Sequence, residues 1–269
     1  LADLIQKITN DNARKEYYLT DIVKMAAKYG YASTYVQCHE DECLGVNSQQ
    51  ELSIAERKFQ DDFRKKLMAS GVSMPSPETC FFSYDTIIKS GCIIEPNVFF
   101  GTGVKIQSST IIKSYSYIEG THIGRHCQIG PFARLRPGTN LLEEVKIGNF
   151  VEVKNTTLAS KAKANHLTYI GDAKVGAHTN IGAGTIFCNY DGKNKHRSVV
   201  GDNVFIGSNA SLIAPLKIGD ASIVAAGSVI NRDVPSESLA IARPIQQNKL
   251  GLGKKIMLNL RKVADKIRK

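Results

Sequence analysis

The stretch IIKSGCIIEPNVFFGTGVKIQSSTIIKSYSYI, residues 87–118, decides the fold because a large apolar side chain recurs in it at every sixth position. The repeated positions are Ile88, Ile94, Phe100, Ile106, Ile112 and Ile118. Neither the 3.6-residue period of a helix nor the two-residue period of a half-buried strand produces this spacing. A six-residue period is typical of a solenoid in which each repeat contributes one short strand and one turn.

Two further ladders with the same period extend the pattern along the chain. The second ladder starts five residues after Ile118 instead of six. It contains Ile123, Ile129, Leu135, Leu141, Ile147 and Val153. The third ladder contains Val200, Ile206, Leu212, Ile218, Val224 and Ile230. The pattern predicts a mainly β fold, a left-handed parallel β-helix of hexapeptide repeats, with aliphatic side chains inside and Gly and Asn at the tight corners. Three six-residue faces make a coil of about 18 residues, so residues 80–235 should form roughly eight coils about 4.8 Å apart.

The segments on either side of the repeats have a different character. Residues 1–47 alternate helical and strand-like patterns, with Tyr35–Cys38 as a short strand candidate, and are predicted to be a partial α/β segment. Ser48 and Glu51 form a capping box, so residues 48–71 are predicted to be a connector helix that ends at Gly71. Residues 72–243 are assigned to the β-helix, and residues 244–269 to a basic, helical C-terminal tail.

Composition narrows the class of protein and of partner. The chain has 269 residues and a formal net charge of +10, which favours an anionic partner: nucleic acid, an acidic membrane surface or a phosphorylated small molecule. No apolar run approaches the roughly 18 residues of a membrane helix, so no membrane span is expected. The six cysteines show no paired spacing, which indicates reduced thiols in a cytoplasmic protein.

Polar residues are concentrated in NHLTYIGDAKVGAHTNIGAGTIFCNYDGKNK, residues 165–195. Two histidines, two tyrosines, four asparagines and three lysines lie there among small residues, which is too polar for a buried core. The repeat breaks between residues 187 and 197, where Asp191–Gly192 is a turn signal. Because loops that leave a solenoid commonly bind ligands, we interpret this stretch as the working site.

Several motifs together resemble one known family. FARLRPG (132–138), GNFVEVKN (148–155), the stretch 165–195 and AIARP (240–244) are similar to the bacterial bifunctional glucosamine-1-phosphate acetyltransferase and N-acetylglucosamine-1-phosphate uridylyltransferase. EYYLTDIV (16–23) and GVN (45–47) are similar to the last part of that family's nucleotidyltransferase domain. The resemblance implies a cytoplasmic homotrimer that transfers acetyl from acetyl-CoA to the amine of glucosamine 1-phosphate, for UDP-N-acetylglucosamine and cell-wall synthesis. It implies no nucleic-acid partner.

The resemblance also implies roles for the residues that match the family's motifs. His166 is the expected general base. The sugar phosphate is expected to bind Arg136, Lys154 and Lys195, and its sugar is expected to bind Tyr169 and Asn180. The groove for acetyl-CoA is expected to contain Ala183, Asn189, Tyr190, Ser208, Ala226 and Arg243. Asn47 matches a residue that helps to hold Mg²⁺ in the full-length family's uridylyltransferase site.

The residue types suit this chemistry without reference to the family. An amine is mostly protonated at neutral pH, so acetyl transfer to it needs a base, and imidazole exchanges protons in that range. Arginine and lysine match a phosphate dianion in charge and geometry. Backbone N–H groups of Gly182–Gly184 are candidate donors to the oxyanion of the intermediate. No segment matches the glycine-rich phosphate loop of a nucleotidyltransferase, so uridylyl transfer by this chain is predicted to be absent.

Two alternatives stay open on the sequence. In the first alternative, the chain is catalytically idle and serves as a trimeric scaffold or a sugar-phosphate-binding remnant. In the second, it is another hexapeptide enzyme, such as an O-acetyltransferase or an enzyme of the zinc carbonic anhydrase type. Zinc would need three converging histidines, and the obvious pair, His122 and His126, lacks a third in the sequence nearby.

Overall fold

A computed structural model of the chain describes residues 1–267, so the last two residues of the predicted tail, Arg268 and Lys269, lie outside the described residues. The chain divides into two units, the first being Leu1–Lys58 and the second starting at Phe59. Helix α1 spans Ala2–Ile5 and helix α2 spans Asp21–Lys28, and a single 3-10 turn follows at Glu40–Cys43. Tyr35–Cys38 forms no strand, contrary to expectation. A strand needs a neighbour to satisfy its backbone groups, and the local pattern alone does not supply one.

Helix α3, Gln49–Ala69, is the predicted connector helix. The Glu51 N–H donates to Ser48 Oγ (3.2 Å), and the Asn47 N–H donates to the Glu51 carboxylate (2.6 Å), so the predicted capping box is confirmed. The helix stops just before Gly71, whose φ of +91° is a conformation that favours glycine.

The repeats form three parallel sheets that share no strand. The first sheet contains β1 (Ile87–Ile88), β4 (Lys105–Ile106), β7 (Thr121–Ile123), β10 (Thr139–Leu141), β13 (Thr157–Leu158), β16 (Ala173–Val175), β19 (Ser198–Val200) and β22 (Leu216–Ile218). The second contains β2 (Ile93–Ile94), β5 (Ile111–Ile112), β8 (Gln128–Ile129), β11 (Lys146–Asn149), β14 (Lys163–His166), β17 (Asn180–Ile181), β20 (Phe205–Ile206), β23 (Ile223–Val224) and β25 (Leu239–Ala240). The third contains β3 (Phe99–Phe100), β6 (Tyr117–Ile118), β9 (Arg134–Leu135), β12 (Glu152–Lys154), β15 (Tyr169–Gly171), β18 (Ile186–Cys188), β21 (Ser211–Ile213) and β24 (Val229–Ile230).

From β1 to β24, successive strands enter successive sheets, and strands pair in parallel with the strand one coil further on. Ile94 is thus in register with Ile112, and Ile112 with Ile129. This topology is a three-sided prism of stacked coils, and the predicted fold class, a left-handed parallel β-helix of hexapeptide repeats, is confirmed. The nine strands of the second sheet give about nine coils, close to the predicted eight.

The apolar ladders fill the interior of the prism. Each of the 18 ladder residues is at most 6% exposed, and the residues before them in the strands mostly face outward. Burying each aliphatic side chain stabilises the fold by about 1.5–3 kcal/mol. Mostly small residues two positions earlier complete the interior. Thr110 Oγ1 donates to the Gly124 carbonyl (2.8 Å) and Thr179 Oγ1 to the Gly201 carbonyl (2.7 Å), whereas the buried hydroxyls of Thr86 and Ser198 have no hydrogen-bond partner within residues 1–267.

Gly and Asn occupy several of the tight corners, as predicted, for example Gly103 (φ +75°) and Asn209 (φ +56°), but other corners hold larger residues. Tyr115, Phe132 and Phe150 follow one another in successive coils with φ of +61°, +54° and +56°. A left-handed conformation costs a residue with a Cβ about 1–2 kcal/mol. Their rings stack with centroids 4.9 and 5.2 Å apart, and such contacts return about 0.5–1.5 kcal/mol each. Stacking between coils therefore allows aromatic residues where the local rule favours glycine.

The predicted helical tail is confirmed as helix α4, Leu252–Ile267. Within residues 1–267, no helix is both long enough and apolar enough to cross a membrane.

Candidate functional site

His166 ends strand β14 at the corner of the prism between the second and third sheets. Asn149, at the same position one coil earlier, is its register partner, and His166 Nδ1 lies 2.6 Å from Asn149 Oδ1. Because an amide oxygen only accepts, Nδ1 carries the hydrogen and Nε2 is the ring nitrogen with the lone pair. The side chain is exposed, so the imidazole faces outward with the tautomer that a base requires.

The same corner continues below His166 as a column that we call the His166 edge. Backbone hydrogen bonds link it coil by coil, from the Gly184 N–H to the His166 carbonyl (3.3 Å), from Asn209 to Ala183 (2.8 Å) and from Gly227 to Ser208 (2.8 Å). Ala226 lies in the next coil, and Arg243 follows β25 after that. Four of the residues expected at acetyl-CoA, namely Ala183, Ser208, Ala226 and Arg243, thus lie along the His166 edge at intervals of about 4.8 Å per coil. They form a track of mostly small side chains that starts at His166.

Three cations of the predicted phosphate site lie on or beside the third sheet, and we call Arg136, Lys154 and Lys195 the cationic cluster. Arg136 Nη1 donates to Glu152 Oε1 at 2.8 Å, and this carboxylate raises the pKa of the guanidinium. The hydrogen-bonding and charge of the Lys154 ammonium lower the pKa of Lys195, so the two ammonium groups are neighbours. Adjacent cations of this kind are stabilised by a bound dianion.

A carboxylate lies against the two lysines. Asp172 Oδ2 is 3.9 Å from Lys154 Nζ. Burial opposes the ionisation of Asp172, but hydrogen bonds from Asn155 and Asn189 and the charges of both lysines outweigh it and lower the pKa of the carboxyl. Asp172 is therefore an anion at the base of the cluster.

Tyr169 and Asn189 meet above Gly171. Asn189 Nδ2 lies 3.4 Å from the Tyr169 hydroxyl, and Asn189 is buried. A Cβ added to Gly171 would lie 2.6 Å from Asn189 Nδ2 and would also overlap the Tyr169 ring, so only glycine leaves room for both side chains here. The tyrosine expected at the sugar and the asparagine expected at acetyl-CoA are thus in contact.

The predicted break in the repeat is a hairpin between β18 and β19, in which Tyr190 bridges Lys195. The Asp191 carboxylate accepts from the Asn194 N–H (2.6 Å) and the Lys193 N–H (2.8 Å), and lies 2.6 Å from His196 Nε2. The pKa of Asp191 is lowered to about 2, mainly by the hydrogen bond from the Asn194 backbone. Hydrogen bonds from the His196 side chain and the Lys193 backbone lower it further. These hydrogen bonds stabilise the turn of the hairpin that carries Lys195. The predicted turn at Asp191–Gly192 is confirmed.

Two further predicted site residues belong to other elements of the structure. Asn180 is on the second sheet, in register with Lys163 and Phe205, and so on a different face from the cationic cluster. Asn47 belongs to the first unit, and its part in holding Mg²⁺ stays a prediction. Among the residues described, no three or more His, Cys, Asp or Glu side chains come together as a metal site would require.

Sequence reasoning missed Asn149, Glu152, Gly171 and Asp172. The last two lie inside the motif NHLTYIGD, which drew attention to its histidine and tyrosine instead. The expectation of oxyanion donors in Gly182–Gly184 also needs correction for two of its N–H groups. Gly182 donates to the Ile206 carbonyl (2.8 Å) and Gly184 to the His166 carbonyl (3.3 Å), so both are already engaged between coils.

The fold and the repeat place the chain in a broad class of proteins. Residues 197–232 match the family model described as bacterial transferase hexapeptide (six repeats). The match covers the coils that directly follow the hairpin, where the third ladder lies.

Comparison with curated relatives assigns the chain to one family within this class. The chain is 50% identical over 257 residues to "Bifunctional protein GlmU" of Bartonella quintana (strain Toulouse), which covers 96% of this chain and 57% of that protein. It is 50% identical over 252 residues to the protein of that name from Zymomonas mobilis, covering 94% and 56%, and 52% identical over 248 residues to that of Sphingopyxis alaskensis, covering 92% and 55%. The chain therefore spans little more than half the length of these relatives. It belongs to the GlmU family over the part that it spans, and the resemblance seen in the sequence is confirmed.

Proposed function

We propose that this chain transfers the acetyl group of acetyl-CoA to the amine of glucosamine 1-phosphate, giving N-acetylglucosamine 1-phosphate. One observation carries the proposal: the Nε2 lone pair of His166 stands at the head of a track of small side chains, on the corner that leads into the sheet bearing the cationic cluster. A base, a groove for a long thin arm and a site for a phosphate are the three elements that this reaction needs. Membership of the GlmU family supports the same reaction.

The residues divide the work as follows. Arg136, Lys154 and Lys195 bind the phosphate dianion, and Tyr169 packs against the sugar. Acetyl-CoA supplies an acetyl group activated as a thioester. The amine nitrogen forms a bond to the acetyl carbon as the carbon–sulfur bond breaks, and His166 Nε2 receives the proton that the nitrogen loses. Asn149 holds the ring in the tautomer that accepts this proton.

The residues expected at acetyl-CoA fit such an arm. Ser208 and Ala226 are exposed and small, so they leave the track open to an extended chain. Arg243 ends the track with a positive charge, which suits the phosphates of coenzyme A. Asn189 and the exposed Tyr190 connect the hairpin to the same cleft.

We also propose that the functional unit is a homotrimer. Asn180 lies on a different face from the cationic cluster, so it reaches a sugar bound there from a neighbouring copy. Exposed aromatic residues support association, since Phe99 and Phe132 are 43% and 45% exposed and each stacks on neighbours that are exposed too. Light scattering combined with size-exclusion chromatography should give three times the mass of the chain.

We place the reaction in the cytoplasm. All six cysteines carry free thiols, which supports a reducing compartment. Burial raises the pKa of the Cys127 thiol to about 11, so this side chain acts as an apolar core residue.

A thiol-release assay with acetyl-CoA tests the proposed reaction. Release should be rapid with glucosamine 1-phosphate and much slower with glucosamine, which lacks the phosphate that the cationic cluster binds. Calorimetric binding of glucosamine 1-phosphate without thiol release would contradict the proposal and would favour the idle sugar-phosphate binder. Stoichiometric zinc by elemental analysis, together with no acetyl transfer, would favour the zinc enzyme instead.

A further inference from the structure

The Asp172 carboxylate is a buried charged group that has no role in the proposed reaction. It follows strand β15 with φ of +50°, a conformation that aspartate tolerates better than most residues, and it is 8% exposed. A carboxylate is rarely buried unless it is paired, because removing its charge from water is costly. The groups that pair with the Asp172 carboxylate therefore indicate its role.

Both oxygens of the carboxylate accept hydrogen bonds from side-chain amides. Asn155 Nδ2 donates to Oδ1 at 2.7 Å, and Asn189 Nδ2 donates to Oδ2 at 2.5 Å. Since an ionised carboxylate only accepts, it selects one orientation of each amide. The NH₂ group of Asn189 is turned toward Asp172, and its carbonyl oxygen is turned away.

The same carboxylate lies against two cations of the cluster. Lys154 Nζ lies 3.9 Å from Oδ2, and Lys195 is near enough for the two charges to interact. Lys154 on β12, Tyr169 on β15 and Asp172 interact electrostatically with Lys195, and Arg136 of the same cluster is paired with Glu152. Asp172 favours the charged form of Lys195, whereas Lys154 disfavours it.

We propose that Asp172 is a positioning residue for both substrates of the acetyl transfer, since one carboxylate orients Asn189 and holds the Lys154 ammonium beside Lys195. It touches neither reacting atom and acts through these three side chains. For its kinetic consequences the inference rests on the proposed function.

The substitution Asp172→Asn keeps the shape of the side chain and removes its charge. We expect kcat/KM to fall about 10- to 100-fold, as when charge-assisted hydrogen bonds are lost. Without the carboxylate, the pKa of Lys195 falls further, so the KM for glucosamine 1-phosphate should begin to rise at a lower pH than in the wild type. A purely structural role would lower activity or thermal stability without moving this pH dependence.

A matched control is available at another corner. Asp202 also accepts a hydrogen bond from a residue of the preceding coil, the Ala177 N–H (2.7 Å), but it is exposed and outside the site. Asp202→Asn should leave kcat/KM and its pH dependence unchanged. An equal effect of both substitutions would overturn the inference.

A double-mutant cycle tests whether Asp172 acts through Asn189. If it does, most of the loss of acetyl-CoA affinity caused by Asp172→Asn should vanish when Asn189 is already alanine. Fully additive losses would show that the two residues act separately and would contradict the orienting role.

Calorimetry with inorganic phosphate separates this inference from the proposed function. Phosphate binding should weaken at a lower pH in Asp172→Asn than in the wild type, whether or not the protein transfers acetyl. If the wild type releases no thiol but this shift is observed, the proposed reaction fails and the inference stands. If the wild type transfers acetyl and Asp172→Asn matches it at every pH, the inference fails alone.

Discussion

The outer face of the third sheet has two regions with the same backbone and opposite chemistry. In the first coils, outward positions hold Phe81, Phe99 and Tyr117, whose rings stack with centroids 6.4 and 4.9 Å apart. In the following coils the same column continues with charged and polar residues, including Glu152 and Tyr169. The outward column therefore changes from an apolar surface to the polar surface of the proposed binding site within two coils.

The inner face shows no such change. Ile118 in the first region and Leu135 in the second are both 0% exposed and lie in register with each other. The comparison teaches that the inward residues determine the solenoid, while the outward residues of the same strands are free to specialise.

His166→Ala should lower kcat by a factor of about 10²–10⁴, because it removes the proposed base. His178, also an exposed histidine but at the corner between the first and second sheets, provides the control. His178→Ala should retain full activity, and both variants should keep the mass of the wild-type assembly. Thiol release measures the rates. A His166→Ala rate equal to that of the wild type would refute the assignment of the base.

Ile118→Ala and Leu135→Ala should each destabilise the fold by about 2–5 kcal/mol, since both leave a cavity in the same interior. Arg134→Ala, an outward change in the strand of Leu135, should alter stability by no more than about 0.5 kcal/mol. Urea unfolding measures the three values. If Arg134→Ala cost as much as Leu135→Ala, the division between inner and outer faces would be wrong.

Lys154→Ala should raise the KM for glucosamine 1-phosphate about 10- to 100-fold, because a charged hydrogen-bond partner of the phosphate is lost. Lys174, an exposed lysine on the first sheet, is the matched control, and Lys174→Ala should not change this KM. Steady-state kinetics with each substrate varied in turn make the measurement. Equal effects from the two lysines would mean that net charge, rather than this cluster, binds the sugar phosphate.

The KM for glucosamine 1-phosphate should rise as the pH increases through the pKa of Lys195. The Lys154 ammonium disfavours a second positive charge and lowers that pKa, so Lys195 loses its proton earlier than an isolated lysine. Lys154→Met removes the repulsion, and the rise should then move to higher pH, although the KM itself is larger. A pH series of KM values for both proteins checks the direction. A shift to lower pH would exclude this coupling.

Much of the fold follows from the sequence because a hexapeptide period is a local property. A run such as Ile106, Ile112 and Ile118 tells which side chains point inward, whatever their neighbours in the next coil. The corner residues were harder, since Tyr115 and Phe132 contradict the local preference for glycine and depend on stacking across coils. In the same way, the sequence identified the residue types of the candidate site but not their hydrogen-bond partners in neighbouring coils.

The partners depend on the length of each coil. Asn149 and His166, Asn155 and Asp172, and Asp172 and Asn189 are each 17 residues apart. A coil of about 18 residues, taken from the hexapeptide period, would pair Asn149 with Leu167 instead. In a strand, an error of one residue moves a side chain to the opposite face.

By itself the sequence determined a three-sided solenoid, its aliphatic interior and the presence of a histidine with a set of cations, because these depend on residue types and on a short repeat. Only the tertiary structure decided that Asn149 sets the tautomer of His166, that Gly171 makes room for Tyr169, and that the buried Asp172 carboxylate contacts both Asn189 and Lys154. The physical reason is register. Contacts between coils depend on how many residues each corner uses, and that number becomes definite only when the coils stack.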